Sequence, residues 1–143
     1  MRTRITRSLS VAAAWIVLGA ALPATAHAGP TERRFHWDEL RSGDCRMYDA
    51  TWKVNSSGVA TFDANLISST GDDAWLMHAE LFDRNDSYLV NLVVKNRPPD
   101  PGDRGKFVMG LPFANRSTRW IAEGKFDRKW FPLVDGMKLR SHC

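Results

Sequence analysis

The chain has 143 residues and a mass of 16.1 kDa, which is enough for one domain. Hydrophobic residues make up 43% and charged residues 25%, a balance that excludes a disordered tail, a collagen-like repeat and a polytopic membrane protein. The formal charge of +4 falls to +1 when Arg2, Arg4 and Arg7 are left out, because they lie in a segment expected to be removed. We therefore expect no nucleic acid among its partners.

Residues 1–28 have the pattern of a secretory signal peptide. A basic start is followed by an apolar stretch from about Leu9 to Leu22, then by Pro23 and small residues. Cleavage is expected after Ala28, with a second small-residue site at Ala26. The apolar stretch is shorter than the roughly 20 residues of a membrane span. No cysteine stands at the cleavage point, so we predict a secreted protein without a membrane anchor in its mature form.

Cys45 and Cys143 are the two cysteines of the chain, and both would reach an oxidising compartment. An even count there predicts one disulfide bond. A catalytic thiol is the weaker alternative, because it would need a basic or histidine-paired setting and a chain terminus holds a nucleophile poorly. Two cysteines without CxxC spacing do not make a structural zinc site.

Residues 29–44 are expected to form an N-terminal arm, with Phe35, Trp37 and Leu40 packed across one end of a sheet and a single helical turn at 36–41 as one option. From Met47 onward the apolar residues recur with a period of two, which is typical of half-buried strands. In the first two strands this pattern turns Tyr48, Ala50, Trp52 and Val54, and then Ala60, Phe62, Ala64 and Leu66, toward the core.

The third strand would bury Trp75, Met77, Ala79 and Leu81, and the fourth Tyr88, Val90, Leu92 and Val94. Three prolines and two glycines predict a loop over 96–105. Beyond it the pattern predicts a short strand with Phe107, Met109 and Leu111, another with Trp120, Ala122 and Phe126, and a last with Met137, Leu139 and Cys143.

About seven short strands without an amphipathic helix predict an all-β fold, a small antiparallel up-and-down barrel or sandwich closed by one disulfide. If each strand pairs with its sequence neighbour, a Cys45–Cys143 bond would bring the first strand beside the last. That contact favours the barrel. Residues 29–143 are expected to form a single all-β domain.

Four segments carry a family resemblance: 37–45, 73–76, 97–103 and 136–143. Together they resemble an uncharacterised domain-of-unknown-function family of short secreted actinobacterial proteins. The resemblance implies secretion and a single domain, and it brings no activity, cofactor or catalytic residue.

His78 and Glu80 stand two residues apart on the third predicted strand and therefore share one face of it. A histidine and a carboxylate on one face could act as base and acid on a phosphodiester, with His142 and an arginine such as Arg119 as further members. The structural alternative is an exposed cross-strand polar pair. The acidic turns lack the regular spacing of a calcium loop, so we expect no metal and no cofactor.

Trp37, Trp130 and Phe131 fall outside the alternating segments. Exposed, they could stack on a sugar ring or anchor a protein partner, whereas buried they would cover the ends of the fold. The sequence thus favours a non-enzymatic secreted module that binds an extracellular protein, a glycan or a small ligand. The alternative is a small secreted hydrolase or nuclease-type toxin that uses His78 and Glu80.

Overall fold

The computed structural model describes residues 29–143, so the expected signal peptide over 1–28 lies outside the described residues. The described chain forms nine β-strands and one 3₁₀ helix (Arg128–Leu133). In chain order the strands are β1 (Glu32–Ser42), β2 (Cys45–Asn55), β3 (Val59–Ser68), β4 (Asp73–Phe82), β5 (Tyr88–Asn91), β6 (Val93–Val94), β7 (Phe107–Leu111), β8 (Thr118–Lys125) and β9 (Gly136–His142).

The strands form two antiparallel sheets. The first has five strands in the order β1-β2-β3-β8-β6. The second is built around β4, which pairs with β7 over 73–77, with β5 over 80–82 and with β9 over 76–82. Since a strand has only two edges, β7 and β5 follow one another along one edge of β4, and β9 occupies the other.

The all-β antiparallel class predicted from the sequence is confirmed, and the expected order of strands is wrong. β3 pairs with β8, and β4 pairs with β7 and β9, so strands distant in sequence meet. Across residues 29–143 the two sheets close no barrel, and nine strands replace the expected seven.

Both sheets contribute alternate residues to one hydrophobic core. Trp52 and Trp75 are fully buried and Trp120 is 5% exposed, which confirms the core position predicted for all three. The ring of Trp52 lies 4.9 Å from that of Phe62, which in turn meets Trp120 edge-on at 5.1 Å. Such pairs add to the stabilisation from buried area.

A β-bulge in β2 overturns the predicted orientation of Tyr48. The pairing of β2 with β3 shifts between Tyr48 and Thr51, so that Asp49 and Ala50 together face one residue of β3. Asp49 has a φ of 51° at this point. In β2 the residues that face the core therefore have odd numbers before the bulge and even numbers after it. Met47 is buried as a result, and Tyr48 points outward.

The predicted N-terminal arm is instead an edge strand. β1 pairs with β2 along its whole length, through a two-residue turn in which Gly43 has a φ of 53°. Phe35, Trp37 and Leu40 are partly buried against the core, as expected for their packing, but from a strand and without a helical turn.

The predicted fourth strand divides between the two sheets. β5 pairs with β4, whereas β6 pairs with β8. Leu92 lies between them, fully buried, and its N–H donates to the carbonyl of Ala79. Tyr88 is 57% exposed, so its predicted core position is wrong.

The Cys45–Cys143 disulfide is present, with 6.1 Å between the two Cα atoms. It connects the first residue of β2 to the residue that follows β9, and thus one sheet to the other. The pairing partner of β9 is β4, so the bond does not align the first and last strands as neighbours.

Candidate ligand-binding cleft

A cleft of about 690 Å³ opens on the outer face of the five-stranded sheet. Side chains from β1, β2, β3 and β8 line it, and most of them are polar or charged. Local sequence patterns do not reveal this site, because residues of four strands, up to about 90 positions apart in the chain, come together to form it.

The strand register arranges the lining residues in rows, because directly opposed residues share a face. In the central row His36 lies opposite Thr51, and Thr51 lies opposite Asp63. In the next row Arg34 lies opposite Lys53. The rows bring a histidine, a hydroxyl, a carboxylate and two cations onto one surface.

His36 is oriented by two hydrogen bonds. Its Nδ1 is 2.9 Å from the hydroxyl of Thr51, and its Nε2 is 3.1 Å from Asp38. Such a hydroxyl–imidazole–carboxylate chain resembles the arrangement of a nucleophile, a base and an orienting acid. The Asp38 side chain is 97% exposed, so solvent screens its charge and weakens its hold on the imidazole. The arrangement therefore favours a fixed polar contact over an activated nucleophile.

Asp63 and Arg119 form a two-point ion pair at the opposite wall of the cleft. The Arg119 Nε donates to one carboxylate oxygen at 3.0 Å and the Nη2 to the other at 2.5 Å. The hydrogen bonds from Arg119 lower the pKa of Asp63 below its usual value. Asp63 is therefore a charged hydrogen-bond acceptor at neutral pH and a poor proton acceptor.

The catalytic candidates His78, Glu80 and His142 lie on the other sheet. His78 Nε2 is 2.8 Å from Asp103, and the Nε of Arg140 is 2.6 Å from Glu80. His142 lies on β9, opposite the position two residues before His78 on β4. All three share the outer face of this sheet, where His78 contacts Asp103 and Glu80 pairs with Arg140. Catalysis by these residues stays a prediction.

The His78 contact fastens the proline-rich loop over 95–106 to the second sheet. The hydrogen bond from His78 lowers the pKa of Asp103. Within the loop, the Lys106 ammonium is 2.7 Å from Asp100, which lowers the pKa of Asp100 and raises that of Lys106. These contacts give the histidine a structural role that the sequence spacing did not reveal.

The three aromatic binding candidates pack against the core. Phe131, in the 3₁₀ helix, is 5% exposed, and Trp37 and Trp130 are partly buried. The Arg33 guanidinium lies 5.7 Å from the centre of the Phe131 ring and donates to the carbonyl of Val134, which ties β1 to this helix. Their burial favours the covering role, and ligand binding by them stays a prediction.

Among residues 29–143 one group of three metal-type side chains converges: Cys45, Cys143 and Asp73. Its two sulfur atoms are joined in the disulfide, so they are not available as thiolate ligands. In the part of the chain that the structure describes, no helix has the length and hydropathy needed to cross a membrane.

A family described as "Family of unknown function (DUF6294)" matches residues 51–143, which include β3, β8 and the second half of β2. No curated protein and no solved structure matches the chain. The match confirms the resemblance to a domain-of-unknown-function family, whereas secretion and an actinobacterial source stay predictions. The chain therefore belongs to DUF6294, a family of unknown function.

Proposed function

We propose that this domain is a non-enzymatic binding module that holds a small polar ligand, of the size of a sugar or a short glycan end, in the cleft of the five-stranded sheet. The single observation that carries the proposal is the cleft itself, at about 690 Å³. This volume falls within the roughly 300–1,000 Å³ of small-molecule sites.

The chemistry of the lining supports a hydroxylated ligand. Asp63, Asn65 and Thr61 offer oxygen acceptors, and Arg119 offers N–H donors beside them. The ion pair between Asp63 and Arg119 and the contact of His36 with Thr51 hold these groups in place before a ligand arrives. Such preorganisation lowers the entropic cost of binding.

The expected signal peptide and the disulfide support a ligand that is met outside the cell. The hydrolase alternative has less support because Glu80, its candidate carboxylate, is already paired with Arg140 at 2.6 Å.

The test is a backbone-amide NMR titration of the isotope-labelled protein with glucose, N-acetylglucosamine, glucuronate and glucose 6-phosphate. We expect shifts that cluster at Thr51, Asp63 and Arg119. With the neutral probes glucose and N-acetylglucosamine, these shifts should be lost in Asp63→Ala, which removes the carboxylate acceptor. Lys129→Ala, exposed in the 3₁₀ helix, is the control and should bind normally. Absence of clustered shifts with every probe would overturn the proposal, as would turnover of a probe that depends on His78.

A further inference from the structure

Two cations face each other across β1 and β2 at one end of the cleft. Arg34 and Lys53 are directly opposed in the register, and both line the cleft. Like charges in directly opposed positions destabilise a sheet. Among residues 29–143 neither cation has a carboxylate oxygen within 4.0 Å.

The nearest acids in the adjoining strands have other partners. Asp63 binds Arg119 through both of its oxygens. Glu123 lies beyond Thr61 in the row of Arg34 and Lys53, and its carboxylate is 3.2 Å from the ammonium of Lys95. The carboxylates on β3 and β8 therefore leave the charge on Arg34 and Lys53 uncompensated.

The remaining acids of β1 and β2 lie along the strands from the cations. Two of them have partners of their own, because Asp38 contacts His36 and Glu39 binds Arg41. Glu32 precedes Arg34 by two residues and is exposed. Asp49 lies at the bulge, four residues before Lys53, a distance of roughly 13 Å along an extended strand. The cleft thus has a cationic end at Arg34 and Lys53, and an acidic end at Asp49.

This polarity leads to an inference that rests on the proposed function and deepens it. We infer that Arg34 and Lys53 bind an anionic group, a carboxylate, sulfate or phosphate, carried by the polar ligand of the cleft. A guanidinium binds two anion oxygens at once, and an ammonium adds a point charge beside it. The hydroxyl groups of the same ligand then lie over Thr51 and Asp63, toward Asp49.

Because the mature chain is nearly neutral, an anionic ligand is attracted by Arg34 and Lys53 and little by the rest of the molecule. Without the expected signal peptide the chain has a net charge of +1, so the whole molecule attracts anions weakly. Binding therefore depends on the two opposed cations. It should weaken for a charged ligand as salt is added, and should stay constant for a neutral one.

The experiment compares glucuronate, glucose 6-phosphate and glucose by amide NMR titration in Arg34→Gln/Lys53→Gln. The matched control is Arg41→Gln/Arg46→Gln, because that pair is also opposed on the outer face of β1 and β2, with Arg41 already bound to Glu39. Both variants remove two positive charges from the same two strands.

We expect the affinity for the charged probes to fall about tenfold or more in the Arg34/Lys53 variant and to stay within about twofold in the control. If the wild-type protein binds glucuronate more tightly than glucose 6-phosphate, the ligand carries a carboxylate. The opposite order of affinities indicates a phosphate. Added sodium chloride should lower the affinity of the wild-type protein for both charged probes.

Two results would overturn the inference while the proposed function stands. In the first, glucose binds in the cleft as well as the charged probes do. In the second, the two variants lose the same affinity, which would indicate diffuse surface charge. If no probe shifts the cleft amides, the proposed function itself fails, and this inference fails with it.

Discussion

Removal of the disulfide tests how the two sheets are held together. In Cys45→Ala/Cys143→Ala the unfolded chain regains the freedom of a loop that spans 98 residues. The loop-entropy relation gives a loss of about 4.7 kcal/mol at 25 °C for that length. β9 is already aligned with β4 over seven paired residues, so the native fold should persist without the bond. A loss of this size would be a large part of the roughly 5–15 kcal/mol that stabilises a typical domain.

The assay is urea unfolding followed by tryptophan fluorescence, because Trp52 and Trp75 are fully buried in the core. We expect a lower midpoint for the variant and for the reduced wild-type protein, with no effect of reductant on the variant. Alanine is preferred to serine at Cys45, since a hydroxyl at that fully buried position could lack a partner. A free energy of unfolding within about 1 kcal/mol of the wild type would refute the reasoning.

Three further predictions follow from single positions. Trp75→Ala should cost about 3–5 kcal/mol in urea unfolding because the ring is fully buried. Glu80→Ala on the opposite face should cost clearly less, because its partner Arg140 stays exposed and can be solvated, and equal losses would contradict the assignment of faces. Gly58→Ala should lower the melting temperature by more than any exposed substitution, since Gly58 has a φ of 80° and a Cβ would meet backbone atoms; an unchanged melting temperature would show that the turn can relax. The hydrogen bond from His78 lowers the pKa of Asp103 below 3.8, so this contact stabilises the protein above that pH and is lost as the pH falls through the lowered pKa. The gap in melting temperature between wild type and Asp103→Asn should therefore close in acid, and a gap that persists there would contradict the pairing.

The buried positions of the central strands can be predicted from the local alternation of apolar and polar residues. β3 and β4 bury the residues that a period of two assigns to the core, from Ala60 to Leu66 and from Trp75 to Leu81. The cysteine pairing likewise follows from count and expected compartment. These inferences succeed because alternation and cysteine number do not depend on which distant strand becomes the neighbour.

The candidate site was only partly accessible from the sequence. The polar residues Thr51, Lys53, Thr61 and Asp63 alternate on the outer faces of the β2–β3 hairpin, so their common surface could have been inferred from the turn between the strands. The bulge at Asp49 could not have been inferred in this way, because an extra residue in one strand is defined only by its pairing with the neighbouring strand.

The sequence by itself determined the all-β class, the core tryptophans and the disulfide. Only the tertiary structure decided that β1 is a strand, that the chain changes sheets at Leu92, and that β8 lies beside β3. The physical reason is that alternation specifies which face of a strand is buried, whereas strand order depends on backbone hydrogen bonds and packing between segments far apart in the chain. The cleft depends on that order, because Arg119 reaches Asp63 only when β8 and β3 are neighbours.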